Sequence, residues 1–286
     1  MAAIDPDDAL TYSQVQSIKA SLWQRGSVDR RALETASPRV IGLGDSWFDY
    51  APGLDILDQL YRMQKYAILK EAHAGHTIEH MVYGTESDNG SEPLPAPLAR
   101  VTALAAKYKP HALLLSAGGN DLAGMRLDSF FNHAASGLPA VRDAFVRFEF
   151  ETYVRGALDR IVSSLRSVST GTRIILHGYG NPTPDGSAVG FVVRFAGPWL
   201  RPTMLRKQFF DLDYGRQLMA ELISRLNDVL MNFARANSNV IFLDLRGMIN
   251  EGDWVNELHL RNSAYRRVAQ AFAVAIDAPD ATMVAA

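Results

Sequence analysis

The stretch 39-RVIGLGDSWFDY-50 joins a short β-branched and apolar run, Arg39 to Gly44, to a polar Gly44-Asp45-Ser46 step. An apolar run on consecutive rather than alternate positions reads as a strand buried on both faces, as in parallel sheets with helices on each side. Four further runs have this character: 66-YAILKEA-72, 111-HALLLSAGG-119, 172-TRIILHGYG-180 and 240-VIFLDLRG-247. Between them apolar residues recur at three- and four-residue spacings over 54–65, 97–108, 143–168, 212–236 and 263–276, which predicts helices. Strands alternating with helices predict an α/β domain, and in such sheets ligands bind outside the carboxyl ends of the strands.

A chain of 286 residues with 48% hydrophobic and 21% charged residues can fill a sizeable core, and a single domain with insertions is expected. Residues 1–37 read as a helical N-terminal extension ended by Ser37-Pro38, residues 38–278 as the main domain with an insertion at about 181–212, and 279–286 as a flexible tail. The segments 84–97 and 181–190, rich in Gly, Pro and Ser, read as surface loops. A net charge of −2 supplies no positive field for a phosphate backbone, so nucleic acid is not an expected partner. The absence of cysteine excludes disulfides, thiolate catalysis and cysteine metal sites. The acidic amino terminus lacks a basic and then apolar signal, and no stretch approaches the ~18 apolar residues of a membrane span. Cytoplasmic residence is expected, and export by a route that reads no such signal is compatible with the same sequence.

Chemistry should therefore be sought at the strand ends. Ser46 leaves the first strand where a following helix would aim its N–H groups and positive dipole end at an oxyanion, although a lone serine there is more often a cap. The second strand exits into Ala74-Gly75-His76-Thr77, the third into Gly118-Gly119-Asn120-Asp121, and the last leads through a loop to His259. A glycine N–H, an asparagine amide and a late histidine are the parts that acyl transfer requires.

Gly44-Asp45-Ser46, Gly75, Gly118-x-Asn120-Asp121 and His259, in this order, resemble the four blocks of the SGNH/GDSL hydrolases and extend over nearly the whole fold. The resemblance implies a flavodoxin-like three-layer α/β/α sandwich with a mainly parallel five-stranded sheet. It also implies hydrolysis of esters or thioesters, with no metal or cofactor. Ser46 would be the nucleophile and His259 its base. The Ser46 N–H, the Gly75 N–H and the Asn120 amide would form the oxyanion hole. The block around His259 departs from the family's Asp-x-x-His, because Asn256 stands where the aspartate is expected. Asn256 can still orient His259; alternatively Asp253 or Asp244 reaches it, or the pair works as a dyad, with Glu257 ranked last. If His259 must be neutral, kcat/KM should rise through one ionisation near its working pKa, and a flat profile from pH 5 to 8 would count against that role. The partner would be a small-molecule, lipid or acylated-sugar ester, with acyl-chain length undetermined. An inactive descendant that only binds carbohydrate or lipid is the non-enzymatic reading.

His76-Thr-Ile-Glu-His80 spells a rival pattern in which two histidines one helical turn apart hold zinc, though the stretch begins at a glycine turn and soon reaches Gly84. Residues 186–210 carry Arg194, Arg201, Arg206 and Lys207 among Phe191, Phe195, Trp199, Phe209 and Phe210, with no acidic residue. This insertion reads equally as a lid or membrane-facing loop and as a packed segment or homodimer contact. Trp47 and Phe48 read as core or as the lining of an acyl pocket. His111 and His177 read as satisfied interior histidines, His73 and His133 have no assigned role, and Asp211 and Asp213 read as first-turn helix residues.

Overall fold

The structure is a computed structural model that describes residues 4–32, 39–64, 66–84, 95–190 and 195–279. Its strands are β1 (Arg39–Gly44), β2 (Ala67–Ala72), β3 (Ala112–Ser116), β4 (Arg173–His177), a small antiparallel ribbon of β5 (Val189–Gly190) and β6 (Phe195–Ala196), and β7 (Val240–Leu243). The main sheet has the order β2-β1-β3-β4-β7, and every neighbouring pair in it is parallel. The order reverses beside β1, as in flavodoxin-like sheets, and that reversal opens a crevice at the carboxyl edge.

The helices are α1 (Tyr12–Ala32), α2 (Ile56–Gln64), α3 (Ile78–Tyr83), α4 (Pro97–Tyr108), α5 (Asp143–Arg147), α6 (Arg155–Val168), α7 (Arg201–Arg206), α8 (Leu212–Arg235) and α9 (Asn262–Asp277). A π-helical turn, Phe148–Val154, connects α5 to α6 without a break. On one face α2 packs against α9; on the other α4, α6 and α8 follow one another. This is the three-layer α/β/α sandwich that the resemblance implied. Val40, Ile41 and Leu43 of β1 and Leu113, Leu114 and Leu115 of β3 are buried on both faces, so adjacent positions are apolar without alternation. Each such side chain contributes roughly 1.5–3 kcal/mol by leaving water.

The register brings the strand ends together. Gly44 lies opposite both Ala72 and Ser116, so the turns after β1, β2 and β3 begin side by side. A Cβ at Gly44 would stand 2.8 Å from the side chains of both Phe48 and Ser116, which explains a glycine at this strand end. The N-terminal stretch is tied to the sandwich by charge: Asp7 pairs with Arg62 and Arg266, and the Lys19 ammonium lies 3.2 Å from Asp55 and 2.6 Å from Asp58.

Some expectations need correction. The run at 240–247 overreaches, since β7 ends at Leu243, whereas β3 ends at Ser116 before the glycine turn that closes the run at 111–119. Gly118 takes a φ of 99° just past β3, and Asp244 past β7 folds back to accept the Arg246 N–H. Residues 181–190 are not simply a surface loop, because Pro182, Pro184 and Val189 are buried. His111 is exposed rather than interior, and its Nδ1 accepts the Arg39 N–H. Residues 33–38, 85–94, 191–194 and 280–286 lie outside the described residues, and with them parts of the predicted extension, loop, insertion (Phe191 and Arg194 included) and tail.

Candidate active site

Ser46 stands in the turn directly after β1, held by the residue before it. The buried Asp45 carboxylate accepts the Trp47 N–H at 2.9 Å, the Ser116 hydroxyl at 2.7 Å and the Tyr179 hydroxyl at 2.9 Å. Burial pushes this carboxyl up to about 6 in spite of its three donors. Trp47 is core: it stacks on His177 at 5.2 Å, and its indole N–H donates to the Leu258 carbonyl at 3.0 Å. That bond ties the Ser46 turn to the loop that carries His259. Phe48 is buried beside it against His177 and Phe272.

His259 ends a tight loop closed by an antiparallel bridge between Trp254 and Leu260. Its Nε2 lies 3.0 Å from Ser46 Oγ and its Nδ1 lies 2.9 Å from Asn256 Oδ1. Asn256 Oδ1 also accepts the backbone N–H groups of Leu258 and His259, each at 3.0 Å, while its Nδ2 donates to the Tyr50 hydroxyl at 3.3 Å. An oxygen that accepts two backbone N–H bonds faces His259 as an acceptor, so the imidazole proton sits on Nδ1 and the bare Nε2 can accept the Ser46 proton. Burial pushes the imidazole down to about 3. The Tyr50 ring stacks on it with centroids 4.3 Å apart, and Trp199 meets it edgewise at 5.5 Å.

The alternative acids are engaged elsewhere. Asp253 accepts the Asn250 N–H at 2.7 Å and pairs with Arg267 at 2.6 Å, and Asp244 pairs with Arg246 at 2.5 Å. Glu257 points into the insertion, where it accepts the N–H groups of Gly186, Trp199, Leu200 and Arg201 at 2.5–2.9 Å. The group at His259 Nδ1 is Asn256.

Gly75, with a φ of 86°, is exposed in the turn after β2, and a Cβ there would meet nothing within 4 Å. Asn120 begins the turn after β3, and its amide donates to the His76 carbonyl at 3.0 Å, which joins the two turns. Asp121, next to it, is buried and accepts the Ile78 N–H at 3.0 Å; burial pushes its carboxyl up to about 6.

The zinc reading fails on geometry. His76 precedes Thr77, the cap of α3, so His76 and His80 do not share a helix face, and Glu79 pairs with Arg126. The two imidazoles meet edge to face at 5.8 Å. Among the described residues no group of three or more His, Cys, Asp or Glu side chains is placed to hold a metal ion. Burial and the neighbouring His73 and His80 push His76 down to about 4.

A family model described as GDSL-like lipase/acylhydrolase matches residues 43–267, most of the chain, from the end of β1 through β7 and into α9. The chain belongs to the GDSL-like lipase/acylhydrolase family. This GDSL hydrolase is accordingly an ester-hydrolysing enzyme. It is similar to an extracellular lipase from Streptomyces rimosus, with 12% identity, a TM-score of 0.52, and 82% of this chain and 99% of that one covered. It is also similar to a family 3 carbohydrate esterase from Clostridium thermocellum, with 14% identity, a TM-score of 0.45, and 82% and 92% covered. At these identities the lipase likeness speaks for the fold alone. No curated protein matches the chain.

Sequence reasoning missed Tyr50 and Tyr179 and gave Glu257 only the role of a last-ranked acid. Nothing in the spacing marks them, because each acts from a different strand end or loop. Among the described residues, no helix of the GDSL hydrolase is long and apolar enough to cross a membrane.

Proposed function

We propose that this hydrolase cleaves carboxylic esters, or thioesters, through an acyl-enzyme on Ser46, with His259 as general base and Asn256 as the group that orients it. The observation that carries the reading is the relay of two short contacts, 3.0 Å from Ser46 Oγ to His259 Nε2 and 2.9 Å from His259 Nδ1 to Asn256 Oδ1.

In the first half-reaction Ser46 Oγ bonds to the carbonyl carbon as its proton passes to His259 Nε2. The tetrahedral oxyanion is received by the N–H groups of Ser46 and Gly75 and by the free N–H of the Asn120 amide, whose other hydrogen is held by His76. The carbon–oxygen bond to the leaving group then breaks, and the alcohol departs with the proton from His259. Water repeats the sequence on the acyl-enzyme, giving its proton to His259 and returning the carboxylic acid and a free Ser46.

Asn256 fixes the tautomer but carries no charge to balance an imidazolium. The face of the Tyr50 ring is an electron-rich surface against which that charge can form, worth about 0.5–2 kcal/mol for a desolvated cation–π contact.

Labelling of the intact protein with a fluorophosphonate, read by mass on wild type and Ser46→Ala, tests the reading. One adduct on wild type that is missing from the variant is expected. Equal release of p-nitrophenol from acetyl or butyryl esters by both proteins would overturn it and leave a binding role for the site.

A further inference from the structure

Beside Ser46 and Asn120 a pocket runs inward between the ends of β3 and β4, toward Met219 and Ile223 of α8 and Leu200 of the insertion. Its polar walls are already spoken for. Asp45 and Tyr179 bond to each other, and Glu257 is saturated by four backbone N–H groups. No Lys, Arg or His side chain lines it, so a phosphate or carboxylate entering it would lose its water without gaining a counter-ion. What can enter is apolar. His259, past which the leaving alcohol must depart, does not line the pocket. The part of the substrate held there is therefore the part that stays on Ser46, the acyl group.

The pocket is partly open at its mouth, and its cavity volume is about 30 Å³. A volume this small leaves room for a short chain beyond the carbonyl. Whether the space can grow depends on its wall. Glu257 is 1% exposed and sits two residues from His259, yet its carboxylate binds the N–H groups of Gly186 and of the consecutive Trp199, Leu200 and Arg201. Four charge-assisted bonds gather two stretches of the insertion onto the His259 loop, and Pro184 closes against Gly215 of α8. The wall is clamped, which is the opposite of what a lid needs.

We propose that this pocket selects short acyl groups, acetyl to butyryl, and that Glu257 sets the limit by holding the insertion as a fixed wall, with Met219 and Ile223 as its floor. The proposal rests on the ester-hydrolase reading above. Glu257 touches no reacting atom and is a positioning residue for the pocket.

The test is kcat/KM for p-nitrophenyl acetate, butyrate and octanoate, with fluorophosphonate labelling run in parallel on wild type, Met219→Ala, Ile223→Ala and Glu257→Gln. In wild type the octanoate value should fall at least tenfold below that for acetate, since even single-methylene misfits are worth about that much. Met219→Ala and Ile223→Ala should raise the octanoate-to-acetate ratio several-fold. Glu257→Gln should do the same, seen as a change in the octanoate-to-acetate ratio rather than the equal loss on both esters that general destabilisation would give. Wild-type turnover of octanoate equal to acetate, with normal labelling, overturns the proposal and leaves the ester reading intact. The same holds if ratios stay unchanged in variants that still label. Failure of wild type both to label and to turn over any ester removes the ester reading and this proposal together. If a variant does not fold, the wild-type series still decides the chain-length limit, and the other variants decide the wall.

Discussion

The Tyr50 ring lies flat against the His259 imidazole, with centroids 4.3 Å apart and planes 15° apart. Its hydroxyl at the same time accepts the Asn256 amide, so one side chain touches both the base and the group that orients it. Tyr50→Leu should therefore lower kcat/KM by about 3- to 30-fold, the kinetic equivalent of about 0.5–2 kcal/mol. Tyr50→Phe, which keeps the ring and loses the acceptor, should lose less. In an Asn256→Asp background, where a carboxylate carries the charge, the cost of Tyr50→Leu should shrink. Additive losses in that double-mutant cycle would mean that the ring only fills space.

The pH profile follows from the same environment. The folded pKa of His259 is pushed down to about 3, so the base is already neutral at pH 5 and stays so to pH 8. kcat/KM should be flat over that range, with the rise below it, which corrects the sequence-based expectation that a flat profile from pH 5 to 8 would count against His259 as base. Asn256→Asp places an anion beside the ring, favours the imidazolium and raises the pKa. The variant should then lose activity toward pH 5, because the base becomes protonated as the pH falls. A wild-type inflection near pH 6.5 would contradict this account.

Asn120 tests the oxyanion hole apart from the base. Asn120→Ala should cut kcat by about 100-fold or more while leaving fluorophosphonate mass addition detectable, because the Ser46–His259 contact does not pass through it. Loss of less than a few-fold would take Asn120 out of the site and leave it as a brace between two turns.

His177 is fully buried among Trp47, Phe48, Tyr179 and Phe272, and burial pushes it down to about 4. Below about pH 6.5 the unfolded chain takes up a proton at this position that the fold refuses until about pH 4. Stability is thus lost as the pH falls through that window, by about 2 kcal/mol between pH 6.5 and 5 for this residue. His177→Phe should melt with a smaller drop between pH 7 and pH 5 than wild type does. An unchanged drop would show that His177 is protonated in the fold.

Lys19 of α1 holds two buried carboxylates, Asp55 and Asp58, and the Asp55 carboxylate in turn accepts the Tyr50 N–H at 3.3 Å. Lys19→Met should destabilise the protein by about 3 kcal/mol by leaving buried charge uncompensated, measurable by urea denaturation. A neutral effect would mean that α1 contributes little to the sandwich.

The local pattern by itself determined a parallel sheet covered by helices on both faces, and the resemblance carried by the strand-end motifs implied the three-layer sandwich. Consecutive apolar residues at 39–44 and 111–116 have no solvent face, so those strands had to be interior and parallel, and the helical spacings over 143–168 and 212–236 had to cover them. That resemblance named Ser46, Asn120 and His259 as candidates, and the fold brings Ser46 and His259 within 3.0 Å of each other. Tertiary structure alone decided which group faces His259 Nδ1. Asn256, Asp253 and Asp244 all stood within reach along the chain, and only the folded loop shows Asp253 drawn to Arg267 and Asp244 to Arg246 while Asn256 Oδ1 stays at the ring. It also decided between the two readings of the insertion, lid and packed segment, by fastening it to Glu257, and brought Tyr50 onto the imidazole. These contacts join residues up to about two hundred positions apart, and periodicity records only what each residue's near neighbours in the chain require.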